Sequence, residues 1–192
     1  MGAASVSKGL TVSRLLLIID IQNDYFPGGA FPLVEPEAAA TRAAELLAAF
    51  REAGDPVIHV QHVWDAPDAT FMRPGTAGVE IHELVAPVGD EPVVQKASPN
   101  SFLDTDLLER LCAVDPDDLV VVGMMSSMCV DATVRAASDL DFTVTVAHDA
   151  CAAPDLEFDG AVVPAAQVHG AFMAALSGSY ATVTTVEELL AR

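Results

Sequence analysis

The sequence is poor in basic residues. Its 9 lysines and arginines stand against 28 acidic residues, and the formal net charge is -19. An excess of negative charge repels the phosphates of nucleic acids and the headgroups of anionic lipids. We therefore expect neither nucleic acid nor a membrane as a partner. The acidity itself predicts a solvated surface and does not indicate a substrate.

Cysteine and long apolar runs are also scarce. The three cysteines are widely spaced, which gives no disulfide framework and no cysteine-based zinc motif. No apolar run approaches the ~20 residues of a membrane-spanning helix, and residues 1–10 lack the apolar stretch of a signal peptide. We expect a reduced, cytoplasmic protein. We interpret residues 1–12 as a frayed leader.

Nucleotide-binding and serine-hydrolase motifs are absent as well. No G-x-G-x-x-G follows a predicted strand, and there is neither a P-loop nor a G-x-S-x-G elbow. These absences leave dinucleotide-dependent chemistry and serine-based hydrolysis without support from the sequence.

What the sequence does contain is a regular alternation of strand and helix patterns. With 192 residues, 52% of them hydrophobic, the chain suits a single domain with a sizeable core. The alternation implies a parallel sheet covered on both faces, so we predict a three-layer α/β/α, doubly wound fold. Strands are predicted at 15–19, 56–64, 93–95, 119–122, 142–147 and 180–184, and helices at 36–53, 104–113, 128–140, 161–176 and 186–191. The irregular stretch 65–91 is typical of a functional lid.

The prediction of a reactive site starts from the stretch 118–137, which reads DLVVVGMMSSMCVDATVRAA. An apolar strand leads through a turn into a helix, for which Ser126 or Ser127 is a plausible N-cap. Cys129 then lies in the first helical turn, where the helix terminus favours a thiolate and free amides can hold an oxyanion. We therefore expect the pKa of Cys129 to lie below its usual value. The alternative is that Cys129 is simply a small buried residue.

Two further reactive residues follow predicted strands. Asp20 follows the first strand and Lys96 the third, so both can face Cys129 across the carboxyl edge of a parallel sheet. A carboxylate can accept the proton of a thiol, and an ammonium can stabilise the thiolate. Taken singly, Asp20 could be a cap and Lys96 an ordinary surface cation.

These residues carry a family resemblance. The motifs DIQNDYF at 20–26, VVQKASPNSF at 93–102 and GMMSSMCVDATVRAA at 123–137 resemble those of the isochorismatase-like cysteine hydrolases, a superfamily that includes nicotinamidases and other amidohydrolases. The C-terminal stretches DACAAPDLEFDG and VPAAQVHGAFMAAL are also similar to its members. The resemblance covers roughly residues 14–190.

The resemblance implies a sheet order of 3-2-1-4-5-6 and a catalytic triad of Asp20, Lys96 and Cys129. It also implies a cis peptide between Met124 and Met125, with the amides of Met125 and Cys129 forming the oxyanion hole. In that order Lys96 lies two strands from Asp20, about 10 Å at ~4.8 Å per strand. We therefore expect the loop after the third strand to fold back toward Asp20.

The sequence departs from the family at two places. Nicotinamidases of the superfamily carry an Asp-x-His metal motif after the second strand, whereas this chain has Gln61-His62-Val63-Trp64. His59 and His62, three apart on a strand, face opposite sides, so they do not converge with Asp65 on a metal. We expect no metal and no other cofactor. In many relatives with this type of turn, a histidine stands where this chain has Ser127.

Several other residues can be interpreted as functional or as structural. Substrate-lining candidates are Phe26, Trp64, Phe71 and Ser127, with core packing as the alternative for the aromatic residues. Among the remaining cysteines, Cys112 is predicted to be in the core and Cys151 to be structural. We interpret His169 as a helix-face or subunit-contact residue.

We therefore predict a cysteine hydrolase that cleaves a C–N bond of a small, non-peptide amide through a thioester. Its partner is a small-molecule substrate, and we expect a homo-oligomer. The alternatives are a metal-dependent nicotinamidase-like amidase, a hydrolase of an isochorismate-type vinyl ether, and a non-catalytic α/β binding module. Cys129 argues against the vinyl ether reaction, because family members with that activity lack the cysteine.

Overall fold

A computed structural model describes residues 13–191, so the predicted leader at 1–12 lies outside the described residues. Six strands form the central sheet, and every neighbouring pair in it is parallel. These strands are β1 (Arg14–Ile19), β2 (Val57–His62), β3 (Val93–Lys96), β4 (Asp118–Met124), β5 (Val144–Ala152) and β8 (Thr182–Thr184), and a separate hairpin contains β6 (Leu156–Phe158) and β7 (Ala161–Val163). The order β3-β2-β1-β4-β5-β8 confirms the predicted doubly wound α/β sheet.

Helices cover both faces of this sheet. They are α1 (Pro36–Ala53), α2 (Leu107–Val114), α3 (Asp131–Asp139), α4 (Ala165–Leu176) and α5 (Val186–Leu190). Alternate residues of β1 point to opposite faces: Leu16 and Ile18 pack with α1 and α5, and Leu15 and Leu17 pack with α2, α3 and α4. A strand buried on both faces must be apolar at every position, which explains the continuous LLLII run. Within residues 13–191, no helix is long and apolar enough to cross a membrane.

The hairpin of β6 and β7 is the main difference from the predicted elements. Its strands pair antiparallel through Asp159 and Gly160, which both have positive φ, 51° and 74°. An Asp-Gly pair with two left-handed residues is the favoured two-residue hairpin turn. Residues 161–163 are therefore a strand, and α4 begins only at Ala165 rather than at residue 161. Strand β5 also extends beyond its predicted end to Ala152.

At Gly123 the backbone of β1 lies directly beside β4. The φ of Gly123 is +142°, and a Cβ atom built there would lie only 2.1 Å from the backbone oxygen of Ile19. Gly123→Ala is therefore expected to lower the free energy of unfolding by about 3 kcal/mol or more, measured by urea unfolding, because strain and overpacking add. The control is Gly170→Ala in α4, where nothing lies within 4 Å; it should raise stability by about 0.5–1 kcal/mol. Equal stability of the two variants would contradict the close approach.

Candidate active site

Asp20 and Lys96 form a buried ion pair at the carboxyl edge of the sheet. Lys96 Nζ lies 2.7 Å from Asp20 Oδ2, and both side chains are fully buried. Lys96 is the last residue of β3, and β2 lies between β3 and β1. The long lysine side chain itself crosses this distance, whereas the sequence suggested that the loop would have to fold back.

The remaining donors of Lys96 are also used. Its ammonium donates to Nδ1 of His62 at 3.1 Å and to the backbone oxygen of Ser98 at 3.0 Å. Burial lowers the pKa of Lys96, but Asp20 and Cys129 together outweigh burial and the pKa is raised. The lysine therefore stays cationic in a site from which water is excluded.

Cys129 lies in a wide turn rather than in the first turn of an α-helix. Residues Ser126–Val130 form a single π-helical turn between β4 and α3, and the peptide bond between Met124 and Met125 is cis. The turn is preceded by extended Met125, and no side chain caps it. The predicted N-cap role of Ser126 or Ser127 is therefore wrong, because the chain enters the turn without a serine in the cap position.

The thiol is protonated at rest. Cys129 is only 4% exposed, and this burial raises its pKa; the Asp20 carboxylate raises it further, and Lys96 lowers it by less. The predicted lowering of the pKa is therefore wrong. Loss of hydration disfavours the charged form more than one ammonium favours it. Asp20 lies beside this thiol, at a distance from which a carboxylate can accept a proton.

His62 joins these groups, a placement that the sequence analysis did not predict. Single side-chain atoms of Asp20, His62 and Cys129 all lie within 4.8 Å of one another. His62 is the last residue of β2 and pairs in register with Lys96 on β3. Its position at a strand end next to β1 is the signal that could have identified it, since polar residues at this edge of the sheet converge.

The histidines of β2 do diverge. His59 lies on the other face of the sheet, where Nε2 is 3.0 Å from Oε2 of Glu91. His59, His62 and Asp65 therefore do not form the metal set that a nicotinamidase-like motif would require. At the carboxyl edge, the ammonium of Lys96 already lies between Asp20 and His62, in the position of a cation shared by the two.

The residues after Asp20 hold the irregular segment 65–91 in place through hydrogen bonds. Gln22 donates to the backbone oxygen of Val79 at 2.6 Å, and Asn23 donates to that of Ala77 at 2.9 Å. Asp24 accepts from the backbone amide of Met72. The QND of the motif therefore holds the predicted lid through backbone atoms of that segment.

The candidate substrate-lining residues are in varied surroundings. Phe26 is buried and stacks on His82, with ring centroids 3.7 Å apart. Trp64 and Phe71 are half-buried and meet edge to face at 5.5 Å. Ser127 is 9% exposed, and its hydroxyl has no hydrogen-bond partner among residues 13–191.

Tyr25 is a further residue that the sequence analysis overlooked. It is buried, and burial raises its pKa; Cys129 and Asp20 raise it further because their charges reach its phenol. The phenol of Tyr25 is therefore neutral at pH 7, and its ring packs against those of Phe31 and Phe71.

The other residues singled out in the sequence have different surroundings. Cys112 is exposed, so its predicted core position is wrong; on α2 the buried side is formed by Leu107 and Leu111 instead. Cys151 is buried in β5, and its structural role stays a prediction. His169 on α4 has Nδ1 2.8 Å from the Ser126 hydroxyl, which donates to the Ala152 carbonyl and therefore accepts from the imidazole.

A cavity of about 570 Å³ lies at the opposite end of the sheet, between Arg51, Glu91 and Arg110. None of the groups gathered around the thiol of Cys129 lines it. Because sites in open parallel sheets lie at the carboxyl ends of the strands, the buried cluster rather than this cavity is the candidate active site.

Comparison with known proteins shows the family to which this fold belongs. Residues 14–188 match the family model described as Isochorismatase domain. The uncharacterized isochorismatase family protein YddQ of Bacillus subtilis is 53% identical over 179 residues, which cover 93% of this chain and 99% of that protein. The crystal structure of an isochorismatase hydrolase homologue from Oleispira antarctica superposes with a TM-score of 0.91 at 51% identity, covering 96% of this chain and 100% of that one.

A relative named for its reaction is more distant. The maleamate amidohydrolase of Pseudomonas putida is 32% identical over 149 residues, which are 70% of each chain. The extent of the family match, together with the shared fold, shows that the chain belongs to the isochorismatase family of hydrolases.

Proposed function

We propose that this protein is a cysteine amidohydrolase that cleaves a small, non-peptide amide through a thioester. The observation that carries the proposal is the buried Cys129 thiol beside an Asp20 carboxylate that Lys96 holds in place. The amidohydrolase among its relatives supports the same bond type. No cofactor takes part in the proposed reaction.

The first half of the reaction forms the thioester. Asp20 takes the proton of Cys129 as the sulfur attacks the amide carbon, so the thiolate appears only in the attack. The raised pKa of Cys129 makes this proton acceptor necessary. The negative oxygen of the tetrahedral intermediate accepts hydrogen bonds from the backbone amides of Met125 and Cys129. Collapse breaks the C–N bond, and Asp20 gives its proton to the leaving amine.

The second half releases the acid. Water enters after the amine leaves and attacks the thioester carbon while Asp20 accepts a proton from it. The intermediate collapses, the C–S bond breaks, and the sulfur regains a proton from Asp20. Lys96 keeps its charge throughout and stabilises the thiolate and the carboxylate in turn.

A screen of small amides with detection of released ammonia or amine tests this function. Wild type and Cys129→Ala are compared on each substrate, and the acyl product is identified by mass spectrometry. Turnover by wild type alone, with a mass increase on Cys129 during the reaction, is the expected result. Hydrolysis that leaves Cys129 unmodified and continues in the alanine variant would contradict the proposal.

Exhaustive chelation is expected to leave the amidase activity unchanged. The reason is that His59 turns away from His62, while the Lys96 ammonium supplies the positive charge beside Asp20. Activity is measured after dialysis against a chelator and again after addition of zinc, manganese or iron. Loss on chelation with recovery on adding one metal would instead favour the nicotinamidase-like alternative.

A further inference from the structure

The imidazole of His62 is a hydrogen-bond acceptor in this site. Nδ1 lies 3.1 Å from Lys96 Nζ. An ammonium has donors and no lone pair, so Nδ1 must be unprotonated and the ring proton must be on Nε2. The same ammonium lies 2.7 Å from Asp20 Oδ2, so His62 and Asp20 fix it from two directions.

The main chain of His62 is fixed from the β1 side. Fully buried Gln22 accepts from the backbone amide of His62 at 2.8 Å and donates to its backbone oxygen at 2.9 Å. These two bonds extend the hydrogen bonding between β1 and β2 beyond the end of β1, with the Gln22 side chain in place of a strand backbone. The backbone that carries the imidazole is therefore held independently of Lys96.

We propose that His62 is a positioning residue that holds the Lys96 ammonium against Asp20, and that protonation of His62 switches the active site off. This inference rests on the proposed amidohydrolase function for its activity readout. A doubly protonated ring would lose its acceptor and point an N–H at the ammonium. Lys96 would be pushed from its place, and both Asp20 and the Cys129 sulfur would lose their cation.

The sign of the pH dependence follows from the groups that face His62. These are Lys96 from β3, Asp20 after β1 and Cys129 in the turn before α3. Burial lowers the pKa of His62, Lys96 lowers it further, and Asp20 opposes them without reversing the shift. His62 is therefore neutral at pH 7, and activity should fall only at a pH below the ordinary histidine value of about 6.5.

Two substitutions distinguish the role of His62 as a hydrogen-bond acceptor from its ability to take up a proton. His62→Asn keeps an oxygen close to the position of Nδ1 but cannot take a proton, so kcat near pH 8 should stay within a fewfold of wild type and the acid limb should move to lower pH. His62→Leu removes the acceptor and should lower kcat about tenfold or more at every pH above the wild-type acid limb, with little change in KM, since the lost bond is to a charged group. The matched control, His59→Asn, changes the other histidine of β2 and should keep the wild-type profile.

A second readout does not depend on turnover. The rate of iodoacetamide labelling of Cys129 is measured against pH in a Cys112→Ala background, which removes the exposed thiol. His62→Leu should label more slowly than wild type because Lys96 lowers the pKa of the thiol. The asparagine variant should label like wild type.

The two readouts distinguish the inference from the proposed function. If no amide is turned over but labelling responds as expected, the function fails and the role of His62 stands. If amides are cleaved while the leucine variant keeps the wild-type kcat, labelling rate and acid limb, the role of His62 is overturned. If the leucine variant unfolds, as judged by its thermal midpoint, the asparagine variant decides: an unmoved acid limb overturns the inference.

Discussion

Cys129→Ala is expected to abolish amide hydrolysis, with kcat reduced by about 10⁴-fold or more, because no other group can form the thioester. The fold should survive. The side chain is small and loses only its sulfur, so the free energy of unfolding should fall by about 1 kcal/mol. Steady-state kinetics and urea unfolding on the same preparation measure the two effects.

The other two cysteines provide matched controls for this result. Cys112→Ala changes an exposed thiol, and Cys151→Ala changes a buried one in β5. Both variants should retain activity, which separates loss of the nucleophile from loss of a cysteine as such. If Cys129→Ala retained substantial hydrolysis, the covalent mechanism would have to be abandoned.

Lys96→Met should both inactivate and destabilise the protein. The substitution leaves the Asp20 carboxylate fully buried without its partner at 2.7 Å. Removing one member of a buried ion pair costs about 3–5 kcal/mol, since the remaining charge is neither hydrated nor compensated. Urea unfolding should therefore show a large loss of stability, and kcat should fall because the thiolate and the carboxylate lose the ammonium.

The double variant Asp20→Asn/Lys96→Met tests this explanation. It removes both charges, so it should recover much of the stability that Lys96→Met loses while remaining inactive. Asp20→Asn alone should also be inactive, since it removes the proton acceptor. If Lys96→Met were as stable as wild type, the charges of Lys96 and Asp20 could not be paired in the interior.

The sheet could be predicted from the sequence because its central strands are short, continuous apolar runs that alternate with helical patterns. LLLII in β1 and LVVV in β4 are buried on both faces, and only a parallel sheet between helix layers requires that pattern. Helix α1 was predicted with its observed bounds, since Pro36 begins it and Gly54, in a left-handed conformation, ends it.

The finer features depend on distances that a pattern does not contain. The hairpin after β5 was missed although its Asp159-Gly160 turn is a strong local signal, because the apolar residues after it also fit a helix. The predicted direction of the Cys129 pKa shift is wrong because the sequence indicates a nearby helix terminus but not how deeply the thiol is buried. His62 was overlooked because its contact with Lys96 needs the register of β2 against β3.

The fastening of segment 65–91 has a consequence for how this scaffold can diversify. The bonds to this segment come from the side chains of residues 22–24 and reach only its backbone, at Val79, Ala77 and Met72. Nearly every amino acid supplies the same backbone carbonyl oxygen and amide. These hydrogen bonds therefore do not determine which side chains stand at those three positions. Gly78 is different, because any Cβ there would collide with the Asp24 carboxylate. Met72, Val79 and Val85 are buried in the core, so a library must keep them together with Gly78. Randomising the exposed positions of the segment should then yield folded proteins with a changed substrate range.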